Sequence, residues 1–182
     1  DTVLLCVYAQ VTYYPTRVGT MLGSLATPEQ KKKWPANTRQ WVANLNHFTK
    51  QRIDPWAVMI AEAKRQKREV LLSFRMNDGH DGTHLETRFW RTHKEFHCFD
   101  PDQGPTLDYG HKEVRDHVFR LIQEAVRRYD CDGIELDFNR IPILFKGGTT
   151  TERIDKMNGF VRRLRGMLDA EGKKRKRHLV LG

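Results

Sequence analysis

The 182-residue sequence predicts an α/β fold: a parallel (β/α) sheet of TIM-barrel type, with about four of the eight strands a full barrel needs. Three observations predict it. Short apolar runs alternate with longer amphipathic stretches of helical period. The first of those runs, Val3 to Ala9, is apolar on both faces, as in a parallel sheet covered on both sides. Long connections follow the strands while helix-to-strand turns are short, an asymmetry expected where the C-terminal strand ends build the site.

Each element has its own signal. Val3 to Ala9 is a near-continuous apolar run and reads as the first strand. Gln10 to Ile53 reads as a long loop with local structure, carrying Tyr13-Tyr14-Pro15, a lysine run, Trp34 and Trp41. Asp54-Pro55 supplies an N-cap and a first helical residue. Trp56, Met59, Ile60 and Ala63 follow at helical spacing, and the basic stretch Lys64 to Arg68 suits the helix's negative end. Val70 to Phe74 is the second strand, and a second long connection spans Gly82 to Gly110. Lys112 to Tyr129 predicts an amphipathic helix with Val114, Val118, Leu121, Ile122, Ala125 and Val126 on one face. After the turn at Asp132-Gly133, Ile134 to Phe138 is the third strand. Thr151 is the expected cap of the next helix, Gly172 its expected end, and His178 to Leu181 the fourth strand. No Gly-rich phosphate loop follows any strand, which argues against a nucleotide-binding doubly wound sheet. Residues 1–182 are therefore expected to form one partial barrel domain, truncated at its C-terminus.

Hydrophobic residues make up 38% and charged residues 30% of the chain, a profile that excludes a disordered polymer. No apolar run approaches the ~20 residues of a membrane span. The start has no basic region or cleavage site of a signal peptide. The net charge of +9 raises the question of nucleic acid. Its positives, however, fall in short runs on the polar faces or ends of predicted helices, so no nucleic-acid partner is expected. Cys6, Cys98 and Cys131 match no zinc or redox spacing, and Cys6 and Cys131 read as small buried hydrophobes.

The chemistry concentrates at two strand ends. Strand side chains alternate between faces, so Glu135, Asp137 and Asn139 share one face while Ile134, Leu136 and Phe138 pack under helices. Carboxylates two residues apart on a strand lie roughly 6–7 Å apart. Such a pair suits acid–base or nucleophilic work, and Asp137 and Glu135 are the expected catalytic residues. Ser73, Arg75 and Asn77 share a face of the second strand. Arg75 is expected to pair with Glu135 or Asp137, and Asn77 to bond a sugar hydroxyl. Asp78, His80 and Asp81 follow in the loop and are expected to bind substrate. Their spacing is too weak a pattern for a metal site, so neither metal nor other cofactor is expected. Tyr8 and Tyr14, with Tyr13, Trp34, Trp41, Phe89 and Trp90, suit stacking on sugar rings; at least half of these aromatics are expected instead to pin loops.

Three motifs extend the pattern: Arg75-Met76-Asn77-Asp78-x-His80-Asp81, Asp108-Tyr109 with Glu113-Val114-Arg115, and the run from Tyr129-Asp130-x-Asp132-Gly133 through Glu135-Leu136-Asp137-Phe138-x-Arg140. Together with Phe160 to Arg165, the sequence resembles the glycoside hydrolase family 10-like (β/α)-barrel proteins of bacteria, from about Asp54 onward. The resemblance implies a secreted or envelope-associated glycan hydrolase. It puts Asp137 at the strand end, with Glu135, Arg75, Asn77 and His80 lining the cleft. Asn139 and Arg140 join the substrate-binding set. The later strands, where such barrels often place a second carboxylate, do not appear. The functional expectation is hydrolysis of O-glycosidic bonds in a polysaccharide by two carboxylates. Its rivals are a non-catalytic carbohydrate-binding fragment and a basic nucleic-acid-binding domain.

Overall fold

The computed structural model of the protein describes residues 1–100 and 104–182. Its main sheet has the order β2-β1-β3-β6-β7, from β1 (Thr2–Ala9), β2 (Val11–Thr12), β3 (Glu69–Arg75), β6 (Gly133–Asp137) and β7 (Val180–Leu181). β1, β3, β6 and β7 pair in parallel, and β2 folds back antiparallel on the end of β1. Each new parallel strand adds to the same side of the last. A doubly wound sheet would reverse direction at a switch point. The sequential order is that of a (β/α) barrel, here about half of one.

The crossovers carry α3 (Pro55–Arg65), α5 (Lys112–Arg128) and α6 (Thr150–Arg175). Asp54 caps α3 by accepting the Trp56 and Ala57 N–H groups. Its carboxylate also takes Arg128 and the Tyr129 hydroxyl, so the same side chain ties α3 to the end of α5. α5 buries Val114, Val118, Leu121, Ile122, Ala125 and Val126, the face expected from its spacing. These pack with Leu72, Phe74 and Ile134 of the sheet and Phe160, Leu164 and Leu168 of α6 in the main core.

Several boundaries differ from expectation. The cap of α6 lies two residues earlier than expected, at Thr149, whose hydroxyl accepts the Glu152 N–H while the Glu152 carboxylate accepts the Thr149 N–H. Gly172 does not end α6, which runs to Arg175 and closes on left-handed Lys176. Gly172 is instead a contact point, since a Cβ there would stand 2.6 Å from the Arg177 carbonyl oxygen. The supposed loop 10–53 contains β2, α1 (Pro28–Lys32) and α2 (Ala36–Lys50). Trp41, Leu45 and Phe48 in α2 recur at helical spacing on a short apolar stripe, which the surrounding polar residues obscure. The connection 82–110 holds α4 (Arg88–Thr92), a short 3-10 turn and a hairpin of β4 (His97–Asp100) and β5 (Gly104–Leu107); its residues 101–103 lie outside those described. No helix among the described residues is long and apolar enough to cross a membrane.

Candidate active site

The register of the central strands builds the site. Ser73 stands opposite Glu135 and Arg75 opposite Asp137, and Cys6 of β1 stands opposite Ser73. Register partners in a parallel pair share a face, so these five side chains line the inner side of the sheet. The outer side carries Leu72, Phe74 and Ile134, all buried. Glu135 and Asp137 are half-buried. Asp137 is oriented at the strand end because its Oδ1 accepts the Asn139 N–H at 3.0 Å, a local turn typical of Asp. Among the described residues, no hydrogen bond or ion pair engages the Glu135 carboxylate.

Beside this pair lies a charge hub on Asp78, whose side chain is 1% exposed. Arg75 Nη1 approaches its Oδ2 at 3.3 Å, while His80 Nε2 and Arg140 Nε approach its Oδ1 at 3.0 and 3.6 Å. Burial pushes the Asp78 carboxyl up, but contact with His80 and Arg75 outweighs it and holds the group below its ordinary range. The structure therefore pairs Arg75 with Asp78 and not with Glu135 or Asp137. β3 ends at Arg75 and the chain turns back at once, bringing the third residue on within reach of the guanidinium.

The remaining expected residues divide. His80 and Arg140 join the hub, and Asn139 lies exposed at the rim. Asn77 is 3% exposed and does not face the cleft. Its Oδ1 accepts the Leu107 N–H at 3.2 Å and its Nδ2 donates to the Ile143 carbonyl, so it staples three strand-end loops together. Asp81 accepts the Trp90 indole N–H at 2.9 Å and Lys94 at 3.2 Å, and so belongs to the α4 excursion. Tyr8 is 5% exposed, because an irregularity between Cys6 and Tyr8 shifts the register and sets Tyr8 opposite Phe74, on the outer face. Tyr14 is 1% exposed and packs edge-on against Tyr129 at 5.6 Å. Sequence reasoning missed Cys6 as an inner-face residue. The thiol is half-buried there, and burial pushes it up despite the nearby Arg75 cation, so it is not an activated nucleophile. Its alternation with Leu4 was the available signal. Among the described residues, no grouping of three His, Cys, Asp or Glu side chains is placed to hold a metal ion.

A family model described as glycosyl hydrolase-like 10 matches residues 24–152. No curated protein matches the chain. Among solved structures, alpha-L-fucosidase isoenzyme 2 from Paenibacillus thiaminolyticus is similar in fold, at 15% identity and a TM-score of 0.52, over 92% of this chain and 25% of that one. An alpha-galactosidase from Thermus thermophilus, solved with p-nitrophenyl alpha-D-galactopyranoside, matches at 18% identity and a TM-score of 0.45, over 61% of this chain and 24% of that one. The chain thus spans about a quarter of the length of either structure.

Proposed function

The chain belongs to the glycosyl hydrolase-like 10 family, and on that premise we propose that it carries part of the active site of a glycosidase that cleaves O-glycosidic bonds in a polysaccharide. The observation that carries the reading is the β3–β6 register, which sets Ser73, Arg75, Glu135 and Asp137 on one face. Asp137 is the proposed catalytic carboxylate at the rim, held in orientation by the Asn139 N–H. Glycosidases pair two carboxyls at ~5–5.5 Å for retention or ~6.5–9.5 Å for inversion. The Glu135–Asp137 spacing along the strand, roughly 6–7 Å, makes Glu135 one proposed partner. The other is a carboxylate from further strands that close the sheet into a barrel. The ionised hub on Asp78 keeps Arg75, His80 and Arg140 clustered beside the carboxylates, where their N–H groups are suited to sugar hydroxyls.

The domain proposal is linked to this one. The inner sheet face is only partly covered: Leu71 and Ser73 are buried, but Leu4 is 54% exposed in mid-strand, whereas parallel strands are ordinarily covered on both faces. We propose that residues 1–182 are one contiguous portion of a larger barrel. Hydrolysis is tested with the full-length protein on a panel of glycans, beside Asp137→Asn. General acid–base groups contribute about 10²–10⁴-fold, and a loss of that order is expected with substrate binding retained. Unchanged turnover in the variant would remove Asp137 from the mechanism. Glycan binding with no turnover in the full-length protein would favour a carbohydrate-binding barrel instead.

A further inference from the structure

We infer that a trough between residues 15–26 and 82–93 binds an acidic polysaccharide, one bearing carboxylates or sulfates along its chain. The inference rests on the glycosidase reading for its ligand type and adds the substrate's charge. Two hollows, of about 380 and 600 Å³, share Thr20, Met21 and Leu25 and so run into one another. Each is within the size range of ligand sites, ~300–1,000 Å³. The walls come from the chain that follows β1 and the chain that follows β3, with His117 of α5 beneath.

The two ends differ in chemistry. At one end stands Trp34, with the His84 ring 5.7 Å away and inclined at 54° to it, so the indole by itself is the ring face offered to a pyranose. Along the trough stand Lys33, Arg17 and Arg88, all exposed, and none has an acidic partner among the described residues. The one acidic side chain in the lining, Glu86, is already paired with Arg91. The nearby Glu124 accepts the Arg17 backbone N–H at 2.7 Å and the Thr16 hydroxyl; these neutral donors fix the wall and leave its negative charge at the Arg17 end. The opposite wall is fixed by the Arg88 N–H donating to Thr20 Oγ1 at 3.0 Å and by Phe89 stacked flat on His117 at 4.0 Å. The result is an ordered groove in which Lys33 and Arg88 have no acidic partner among the described residues, Arg17 stands beside Glu124, and Trp34 offers one ring face. Guanidinium groups bind carboxylate and sulfate through paired N–H donors, and free ones in a walled groove select anionic over neutral chains.

The test measures binding of polygalacturonate, its methyl-esterified neutral form and a single-stranded DNA oligonucleotide at about 0.15 M salt, where unfocused surface attraction is largely screened beyond ~8 Å. The proteins are the full chain, Arg17→Ala/Arg88→Ala, Asp137→Asn, and a charge-matched control, Arg162→Ala/Lys173→Ala, on the exposed face of α6. The expected result is binding of polygalacturonate in preference to the neutral form. That binding should weaken at least tenfold in the Arg17/Arg88 variant, stay within about twofold in the control, and be retained in Asp137→Asn. Equal losses in the two charge variants would overturn the inference, as would no preference over the neutral form. Tighter DNA binding with the same dependence on Arg17 and Arg88 would overturn it in favour of a nucleic-acid groove. Retained binding with no hydrolysis of any glycan by the full-length protein leaves the groove assigned and sinks the glycosidase reading alone. Hydrolysis of neutral glycans without acidic-glycan binding does the reverse.

Discussion

Asp78 is the residue on which the charges of the site turn. It is buried, yet its folded-state carboxyl is held low by His80 and Arg75. A carboxyl depressed on folding contributes stability above its unfolded value, ~3.9, and that stability is lost as pH falls through the lower folded value. Asp78→Asn is therefore expected to lower stability at pH 7 by about 1–3 kcal/mol and to flatten the loss of stability below about pH 4. Urea unfolding at pH 7, 4 and 3 checks both; parallel pH curves for the two proteins would show that the hub carries no linkage. The estimate is modest because Arg75 and Arg140 are 39% and 54% exposed and remain partly solvated. At this scale the sequence indicated which residues share a face better than what each one touches. Asp137, Glu135 and Arg75 fall on one face by simple alternation. Tyr8 does not, because one irregularity in β1 reverses every later side chain, and no local signal announces it.

At the scale of elements, the helix caps and close approaches make separate predictions. Thr149 and Glu152 cap α6 reciprocally, so Thr149→Ala is expected to cost about 1 kcal/mol, read as a shift in the denaturation midpoint with unchanged slope. Gly133 has a stricter role. A Cβ there would meet the Val180 carbonyl oxygen at 2.3 Å, at the first register pair of β6 and β7. Gly133→Ala is expected to release β7, detected as faster hydrogen exchange at the Val180 and Gly182 amides, which donate across this edge. Asn77 holds the hairpin and the 138–149 loop against the end of β3. Asn77→Ala, which strands the buried Leu107 N–H while the Ile143 carbonyl keeps the Thr106 hydroxyl, is expected to cost about 1–3 kcal/mol and to make those loops the first sites of limited proteolysis. Protection equal to that of the wild type would assign them another anchor. The strands, α5 and α6 were legible because their apolar patterns are long and regular. α2 was not, because only Thr38 and Val42 in it are buried and its start has no side-chain cap.

For the molecule as a whole, the two faces of the sheet behave as different materials. The outer face meets α3, α5 and α6 and holds the core, with Leu72 and Ile134 fully buried. Leu72→Ala is expected to cost about 2–5 kcal/mol. Leu4→Ala on the inner face, with the side chain half in water, is expected to cost under about 1 kcal/mol. In a longer protein whose further strands close the barrel, the same Leu4 substitution should approach the cost of a buried leucine; an unchanged small cost there would mean that the inner face stays open. The sequence by itself determined the strand–helix alternation, the parallel sheet and the face that carries Glu135 and Asp137, because these follow from local periodicity and the two-residue alternation of a strand. Only the tertiary structure decided that Arg75 answers to Asp78, that Tyr8, Tyr14 and Asn77 lie inside, and that two distant loops enclose a cationic trough. Those outcomes depend on the register between strands and on contacts between residues far apart in the chain, for which neighbouring residues carry no code.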